Sequence, residues 1–381
     1  MKLIKKIAAV VLCVALMFTC FPLSVFAKAS DSENKKEANI VLFGYFNNYT
    51  ADEANEYYKT NLASIMKIID GSNGRSFKNY IKSISYGKLE IENIFPQYSG
   101  GNIVPVNVGV SEDDANVMNY DVSVIDALVS NMPSIADKIV DKDGDGYVDN
   151  VMLIVMNKTN EAVSGTTLVP HKGDYTGSSK INNKKIGTYN MFGTYRLLNE
   201  KTGLVAHEFL HTLGYADLYK NTTSQYPVYV WSIMGGPSQY PQYPLAYERM
   251  HFTHWLDIDE ITESTTLTLD TQSNANGNQA YAIKSPFNDR ELFVVEYRER
   301  PNRYVAGDED SLDYSIGGSG VIVYRVNLSV EGLSNLGTEN GIYLFRPQEN
   351  QPGYSTYETT SIYNAYLPYN SYDGKNDVIS G

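Results

Sequence analysis

Cysteine is nearly absent from this chain of 381 residues, since its only two cysteines, Cys13 and Cys20, lie close to the N-terminus. Both fall inside a segment in which three lysines precede a short apolar run, a pattern typical of an export signal. The run is shorter than the roughly 20 apolar residues that a membrane-spanning helix needs. Small residues favour cleavage near Ala27 or Ala29. We therefore expect residues 1–27 to be a signal peptide, and the mature protein to be secreted without membrane insertion.

Positive charge is also scarce, with 31 lysines and arginines against 44 aspartates and glutamates. Loss of three lysines with the signal would take the net charge from −13 to −16. A protein this acidic repels nucleic acid and anionic membranes, so we expect neither as a partner. Without cysteine, the mature chain has no catalytic thiol, and any metal must be held by histidine, aspartate or glutamate. Nothing in the sequence indicates the oligomeric state.

The chain changes character near residue 260. Before this point, periodic apolar patterns alternate between helix and strand. They predict strands at 39–46, 88–95 and 151–155, helices at 52–69, 77–84 and 244–255, and an amphipathic stretch at 121–140. After it, strand-like runs alternate with turn residues, at 265–269, 280–284, 292–297, 320–326 and 341–345.

These patterns predict an α+β protein with two domains. Residues 28–38 form a short polar tail, and 39–260 a metallopeptidase domain with a mixed twisted sheet and an active-site helix, on the grounds given next. Residues 261–381 form an all-β, sandwich-like domain. The strand pattern of that domain is interrupted at Gly381, so we expect it to be truncated there.

The metal site is predicted from two of the five histidines, which lie four residues apart in the motif His207-Glu208-Phe209-Leu210-His211. Residues four apart share one face of a helix, so both histidines can bind one metal ion. Thr202 suits the N-cap of that helix. Glu208 lies beside the first ligand, where a carboxylate accepts a proton from the attacking water. The motif predicts a catalytic zinc site with Glu208 as general base.

The third zinc ligand is predicted from the end of the same helix. Gly214 lets the chain leave the helix abruptly, and Asp217 follows six residues after His211. This is the spacing of the metzincin motif, with aspartate in place of the usual third histidine. The alternative third ligands are Glu248, in a thermolysin-like arrangement, and His251 or His254.

Two further features support the metzincin interpretation. Met234 lies in a glycine-rich turn, and metzincins place such a methionine beneath the zinc ligands as a hydrophobic floor. Tyr240 and Tyr243 follow the turn, and either could donate its hydroxyl to the oxyanion of a tetrahedral intermediate. We predict them as candidate oxyanion stabilisers.

An acidic loop predicts a second metal site. Its residues resemble the first nine positions of an EF-hand loop, with candidate ligands Asp141, Asp143, Asp145, the Tyr147 carbonyl and Asp149. A methionine stands where the EF-hand has its bidentate glutamate, and a strand rather than a helix follows. Crowded aspartates repel one another without a cation. We predict a structural Ca²⁺ site, with a solvated acidic turn as the alternative.

Taken in order, these motifs resemble the immune inhibitor A family of secreted bacterial zinc metallopeptidases. The motifs are residues 83–89, the acidic loop, 170–172, the zinc helix with its exit, the Met234 turn, 293–298 and 318–326. The resemblance implies endopeptidase action on proteins, zinc held by His207, His211 and Asp217, Glu208 as general base, and bound calcium. His171 matches a family position without an assigned role. The long propeptide common in the family is replaced here by the short polar tail.

We therefore expect a secreted zinc metalloendopeptidase that acts on proteins or peptides. Two other functions stay open. One is a cell-surface binding or adhesion protein whose zinc domain is a relic, although retention of Glu208 argues against this. The other is a zinc amidase acting on cell-wall peptides.

Overall fold

The computed structural model describes residues 34–98, 100–114, 120–157, 168–221, 225–302, 311–346 and 362–367. Within these ranges the protein is mixed α/β, with five α-helices and three sheets. The predicted signal peptide and the chain end at Gly381 lie outside the described residues. No helix in the described part of the chain is long and apolar enough to cross a membrane.

The elements follow one another in a mixed order. The helices are α1 (Ala51–Asp70), α2 (Phe77–Ile84), α3 (Tyr120–Asn131), α4 (Thr194–Thr212) and α5 (Ala246–Thr253). The strands are β1 (Lys35–Tyr45), β2 (Leu89–Ile94), β3 (Val106–Asn107), β4 (Tyr147–Val148), β5 (Asn150–Met156), β6 (His171–Asp174), β7 (Lys180–Ile181), β8 (Lys184–Ile186), β9 (Thr188–Gly193), β10 (Asp259–Glu260), β11 (Ala280–Lys284), β12 (Glu291–Arg298), β13 (Gly320–Asn327) and β14 (Ile342–Leu344).

The first sheet has the strand order β2-β1-β5-β9-β6, with β3 also paired to β1. All of its pairs are parallel except β6–β9, which is antiparallel at the edge. Strand β5 is buried along its whole length because both faces of the sheet are covered. Its residues alternate between two cores: Met152 and Ile154 pack with α1, α2 and α4, whereas Val151 and Leu153 pack with α3.

The second sheet has the order β10-β11-β12-β13-β14 and is antiparallel apart from β10–β11. Burial alternates along β12 and β13, so one face is covered. That face shares a continuous core with α1, α2 and α4. Only one sheet is formed by the described residues here, so the two facing sheets of a sandwich are not confirmed. The remaining sheet, β4-β8-β7, is small and flanks the acidic loop.

Most predicted elements of the first part are confirmed. Helix α2 has the predicted bounds, and α1 begins with a capping box in which Thr50 and Glu53 bond each other's backbone. Strand β1 begins at Lys35, inside the predicted polar tail, because its first residues pair with β2. Helix α3 ends at Asn131, well before residue 140, since Pro133 cannot continue a helix.

The predicted strand at 265–269 is wrong. These residues adopt no strand in the structure, although their alternation is typical of one. Strand β11 pairs with β10 on one side and β12 on the other, so neither of its edges is left for them. Alternation identifies a buried face but not a partner strand.

Candidate metal centre

Helix α4 carries the two histidines and is broken once along its length. Lys201 has φ 53° and ψ −137°, so the part of the helix that carries both histidines begins at Thr202, which is its first helical residue rather than its N-cap. Gly203 lies against the segment that follows the Met234 turn, because a Cβ there would be 1.9 Å from the Ser238 carbonyl oxygen. The close packing of this segment against the helix therefore requires glycine at position 203.

The helix ends in the abrupt exit that Gly214 predicts. Gly214 has φ +91°, and its N–H donates to the His211 carbonyl at 3.1 Å. The N–H of Tyr215 donates to the Leu210 carbonyl at 3.2 Å, which completes a Schellman motif. The chain is thereby turned back toward the helix, and Asp217 is brought beside the histidines.

Three side chains converge at this point. Asp217 Oδ1 lies 3.2 Å from His207 Nε2 and 3.3 Å from His211 Nε2. Each imidazole uses its other nitrogen for a backbone carbonyl: Nδ1 of His207 is 3.0 Å from the Ile233 oxygen, and Nδ1 of His211 is 2.8 Å from the Tyr215 oxygen. A proton on each Nδ1 leaves the Nε2 lone pairs directed at the carboxylate.

This arrangement fits a zinc ion. In the neutral tautomers, three acceptor atoms face one another without a donor, and Asp217 Oδ1 is buried without a hydrogen-bond partner among the described residues. Such a group needs a cation between its members. Tetrahedral zinc with bonds of about 2.0–2.1 Å separates its ligand atoms by about 3.3 Å. The observed separations match that value.

The electrostatics of the three residues point the same way. Burial opposes the charge of Asp217, but when His207 and His211 carry protons on Nε2, their hydrogen bonds and charge outweigh it and hold the pKa of Asp217 well below its usual range. Burial likewise lowers the pKa of His211, but Asp217 outweighs it and raises the net pKa. Both shifts show that the site attracts positive charge, which either a proton or a metal ion can supply.

Glu208 is buried next to the first ligand, and a row of asparagines reaches its backbone across the first sheet. One asparagine comes from each of four adjacent strands: Asn93, Asn39, Asn150 and Asn190. Asn150 Nδ2 donates to the side-chain oxygens of Asn39 at 2.8 Å and Asn190 at 3.0 Å. Asn39 donates to Asn93 at 2.7 Å, and Asn190 donates to the Glu208 carbonyl at 2.9 Å. The row links the first sheet to the backbone of Glu208.

Met234, the predicted hydrophobic floor, lies in a turn whose backbone contacts His207 and the segment that carries Asp217. It is fully buried, its carbonyl accepts from Leu218 N at 2.9 Å, and the preceding carbonyl, of Ile233, bonds His207. Residues 231–236 are called the Met turn below. Glu248 lies behind this turn, bonded to Ser232 Oγ at 2.7 Å, so the structure gives it a supporting position.

The other alternative ligands also lie elsewhere. His251 stacks on Tyr247 with ring centroids 5.7 Å apart, and His254 caps α5 in a left-handed conformation. The group of metal-binding side chains that the structure brings together is His207, His211 and Asp217.

The tyrosine beside the metal centre is Tyr219, which sequence reasoning missed. Its ring lies nearly parallel to that of His207, with centroids 6.3 Å apart. Burial raises the pKa of Tyr219 to about 12, and the charges of Asp217 and Glu208 add to the effect. Its position two residues after Asp217 is the only sequence signal, and it is weak among 31 tyrosines.

The predicted oxyanion candidates occupy different surroundings. The Tyr240 ring packs against Tyr314 at 4.9 Å and lies under Arg75 at 4.7 Å. Tyr243 is buried in the core, with the Arg249 guanidinium 5.2 Å from its ring. Both rings therefore pack against side chains other than those of His207, His211 and Asp217.

His171 lies on the edge strand β6 of the first sheet. Its Nδ1 is 2.7 Å from the Val169 carbonyl and its Nε2 is 3.0 Å from Asp121 Oδ2, so both nitrogens face acceptors. Burial lowers the pKa of His171, but the bonds to Asp121 and Val169 outweigh it and the net pKa is raised, with Glu208 contributing. Both ring nitrogens are therefore engaged, and both contacts favour the protonated form of the ring.

The acidic loop brings three of its predicted ligands together, the carboxylates of Asp141, Asp143 and Asp149. Asp145 is not in this group, and its carboxylate accepts from Tyr147 N at 2.8 Å. Tyr147 itself lies in β4 and pairs with β8. Part of the negative charge is met by Lys184, whose Nζ is 2.7 Å from Asp141 Oδ2. Carboxylate oxygens are the ligands Ca²⁺ prefers.

Known proteins add no assignment to this geometry. No protein-family model matches the chain, and no curated protein is significantly similar to it.

Proposed function

We propose that the chain is a secreted zinc metalloendopeptidase of the immune inhibitor A type. Its metzincin-like catalytic part would span residues 39–260, followed by a β-rich part over 261–381. The observation that carries this proposal is the convergence of His207, His211 and Asp217, with Asp217 Oδ1 3.2 and 3.3 Å from the two Nε2 atoms. Glu208, on the same helix turn, is the adjacent carboxylate.

The chain's own residues account for hydrolysis of a peptide bond. A zinc ion held there would lower the pKa of a water molecule to about 7 and polarise the scissile carbonyl. Glu208 accepts a proton from the attacking water and passes it to the leaving amine. Met234 and the buried wall beneath the histidines exclude bulk water from one side.

Replacement of Glu208 by glutamine tests this function. The variant keeps the side-chain shape but cannot accept the proton, so casein cleavage should fall by about 10²–10⁴-fold while one zinc ion stays bound. Activity is measured with a fluorescent casein, with and without chelator, and bound zinc by atomic emission. Glu263→Gln, at an exposed position, is the matched control and should retain full activity.

Three results would redirect the proposal. Full, chelator-sensitive cleavage by Glu208→Gln would exclude Glu208 as the general base. Cleavage of peptidoglycan but not casein by the unmodified chain would favour a cell-wall amidase, and binding to glycoprotein without any cleavage would favour the adhesion alternative.

A further inference from the structure

The segment that carries Asp217 is held by a loop far away in the sequence. Residues 334–341, between β13 and β14, are called the clamp loop. The backbone N–H of Asn335 donates to the Asp217 carbonyl at 2.9 Å, and Asn335 Nδ2 donates to the Leu218 carbonyl at 2.9 Å. The clamp loop thus bonds the backbone of the predicted third ligand and of its neighbour.

Burial and hydrogen bonds hold the side chain of Asn335 in this position. It is fully buried, its Nδ2 also donates to the Ile342 carbonyl at 2.8 Å, and its Oδ1 accepts from Ile342 N at 3.0 Å. Its amide therefore ties the ligand segment to the first residue of β14. Buried side-chain amides with all atoms engaged define one geometry, because any shift leaves polar atoms unpaired.

A second contact holds the same segment two residues further on. The Lys220 ammonium donates to the Gly337 carbonyl at 2.6 Å, and the carbonyls of Thr338 and Glu339 lie 3.4 and 3.5 Å away. On the opposite side, Leu218 N donates to the Met234 carbonyl at 2.9 Å. The ligand segment is fixed between the Met turn and the clamp loop.

The three ligands differ in what positions them. Helix geometry places His207 and His211 on one face, whereas Asp217 lies beyond the helix end and depends on tertiary contacts. We propose that Asn335 is the positioning residue for the third metal ligand, so that the second sheet completes the metal centre. The inference rests on the proposed zinc site.

Zinc affinity of the full chain tests the inference. Asn335→Ala and Asn335→Asp should weaken zinc binding by about 10- to 100-fold, the usual effect of removing a group that orients a ligand. The affinity is measured by competition with a chromophoric chelator. Asn157→Ala is the matched control, because Asn157 is equally buried but bonds Tyr195 at the start of α4, so it should lose thermal stability without losing zinc affinity.

A double-mutant cycle separates positioning from folding. If Asn335 acts through Asp217, then Asn335→Ala should leave the weaker zinc affinity of an Asp217→Ala chain unchanged. Equal losses in both backgrounds, or a loss of zinc affinity under twofold in the single variant, would overturn the inference. Zinc binding by an inactive wild-type chain would refute only the proposed protease. A wild-type chain that binds no zinc would refute both.

Discussion

Beside the candidate metal centre, the side chain of Tyr219 lies close to a predicted ligand, His207, and is influenced by the predicted general base, Glu208. Tyr219 places its ring along His207, and Asp217 and Glu208 both act on its hydroxyl. Loss of that hydroxyl alone removes a group that orients a ligand. We expect Tyr219→Phe to lower kcat by about 10- to 100-fold with little change in KM, measured on a quenched fluorescent peptide.

Tyr240→Phe is the matched control for this residue. Its ring packs against Arg75 and Tyr314, and this packing survives the loss of the hydroxyl. We expect its kcat to stay within twofold of the wild-type value. Equal losses in the two variants would contradict the assignment of Tyr219 to the metal centre.

For single residues, the sequence alone predicts the positions that local backbone geometry determines. The convergence of His207 and His211 follows from their spacing on one helix, and the return of Asp217 follows from the left-handed Gly214. Asn335 lies 118 positions beyond Asp217, and no local pattern marks it. Residues that only tertiary packing brings to the site therefore cannot be predicted from local sequence patterns.

Among the elements, α5 contributes a carboxyl group that titrates behind the Met turn. Glu248 is fully buried, and only one of its two oxygens has hydrogen-bond partners among the described residues, Ser232 and Leu245. Burial raises the pKa of Glu248 from 4.5 to about 7. The unfolded chain thus releases this proton at a lower pH than the folded chain does.

The free energy of unfolding should consequently decrease as the pH rises from about 4.5 to about 7, and then level off. For this carboxyl group the decrease is on the order of 3 kcal/mol. Glu248→Gln cannot titrate and should remove that decrease, although its buried amide destabilises the protein equally at every pH. Urea unfolding of both chains at pH 5 and pH 8 measures the difference. An unchanged pH dependence in the variant would refute it.

The acidic loop supports a prediction about calcium. Asp149 Oδ2 accepts from Ala38 N of β1 at 2.7 Å, so a cation bound by Asp141, Asp143 and Asp149 would join the loop to the first sheet. Calcium at 100 times its dissociation constant should stabilise the chain by about 2.7 kcal/mol. Calorimetry with and without calcium measures this stabilisation as a rise in the thermal midpoint. Asp143→Asn should make that rise smaller. A thermal midpoint independent of calcium would favour the solvated turn.

An element is predicted most closely when all of its signals lie within one short segment. The bounds of α2 follow from its apolar spacing and from the cap at Ser76, all within one short segment. A strand also needs a neighbour, and residues 265–269 have the alternation without the neighbour. Pairing is a property of the sheet, so the local pattern does not specify it.

Across the whole molecule, the two sheets are joined by polar contacts as well as by a shared core. Arg298 of β12 is buried and donates to the Trp231 carbonyl of the Met turn at 2.6 Å. Glu296, on the same strand, accepts from Ala246 N of α5 at 2.9 Å. These contacts cross the predicted boundary at residue 260, and β10 itself precedes that boundary while belonging to the second sheet.

We therefore expect the chain to unfold in one cooperative transition. Separation of the parts would expose the shared core and remove the Arg298 bonds to the Trp231 and Tyr243 carbonyls. Hydrogen bonds to a charged group contribute about 1.5–3 kcal/mol each. Scanning calorimetry should give one peak whose calorimetric and van't Hoff enthalpies agree. Two resolved peaks would instead support the two independent domains that the sequence pattern predicts.

The row of asparagines also has a consequence for how the chain folds. Apolar strands such as β5 can slide by two residues and still bury the same face, because side chains repeat with a period of two. Asn39, Asn150 and Asn190 meet in only one alignment, and a slip would bury their amides unpaired at about 1–3 kcal/mol each. The asparagine amides therefore select one register among those that bury the same apolar face.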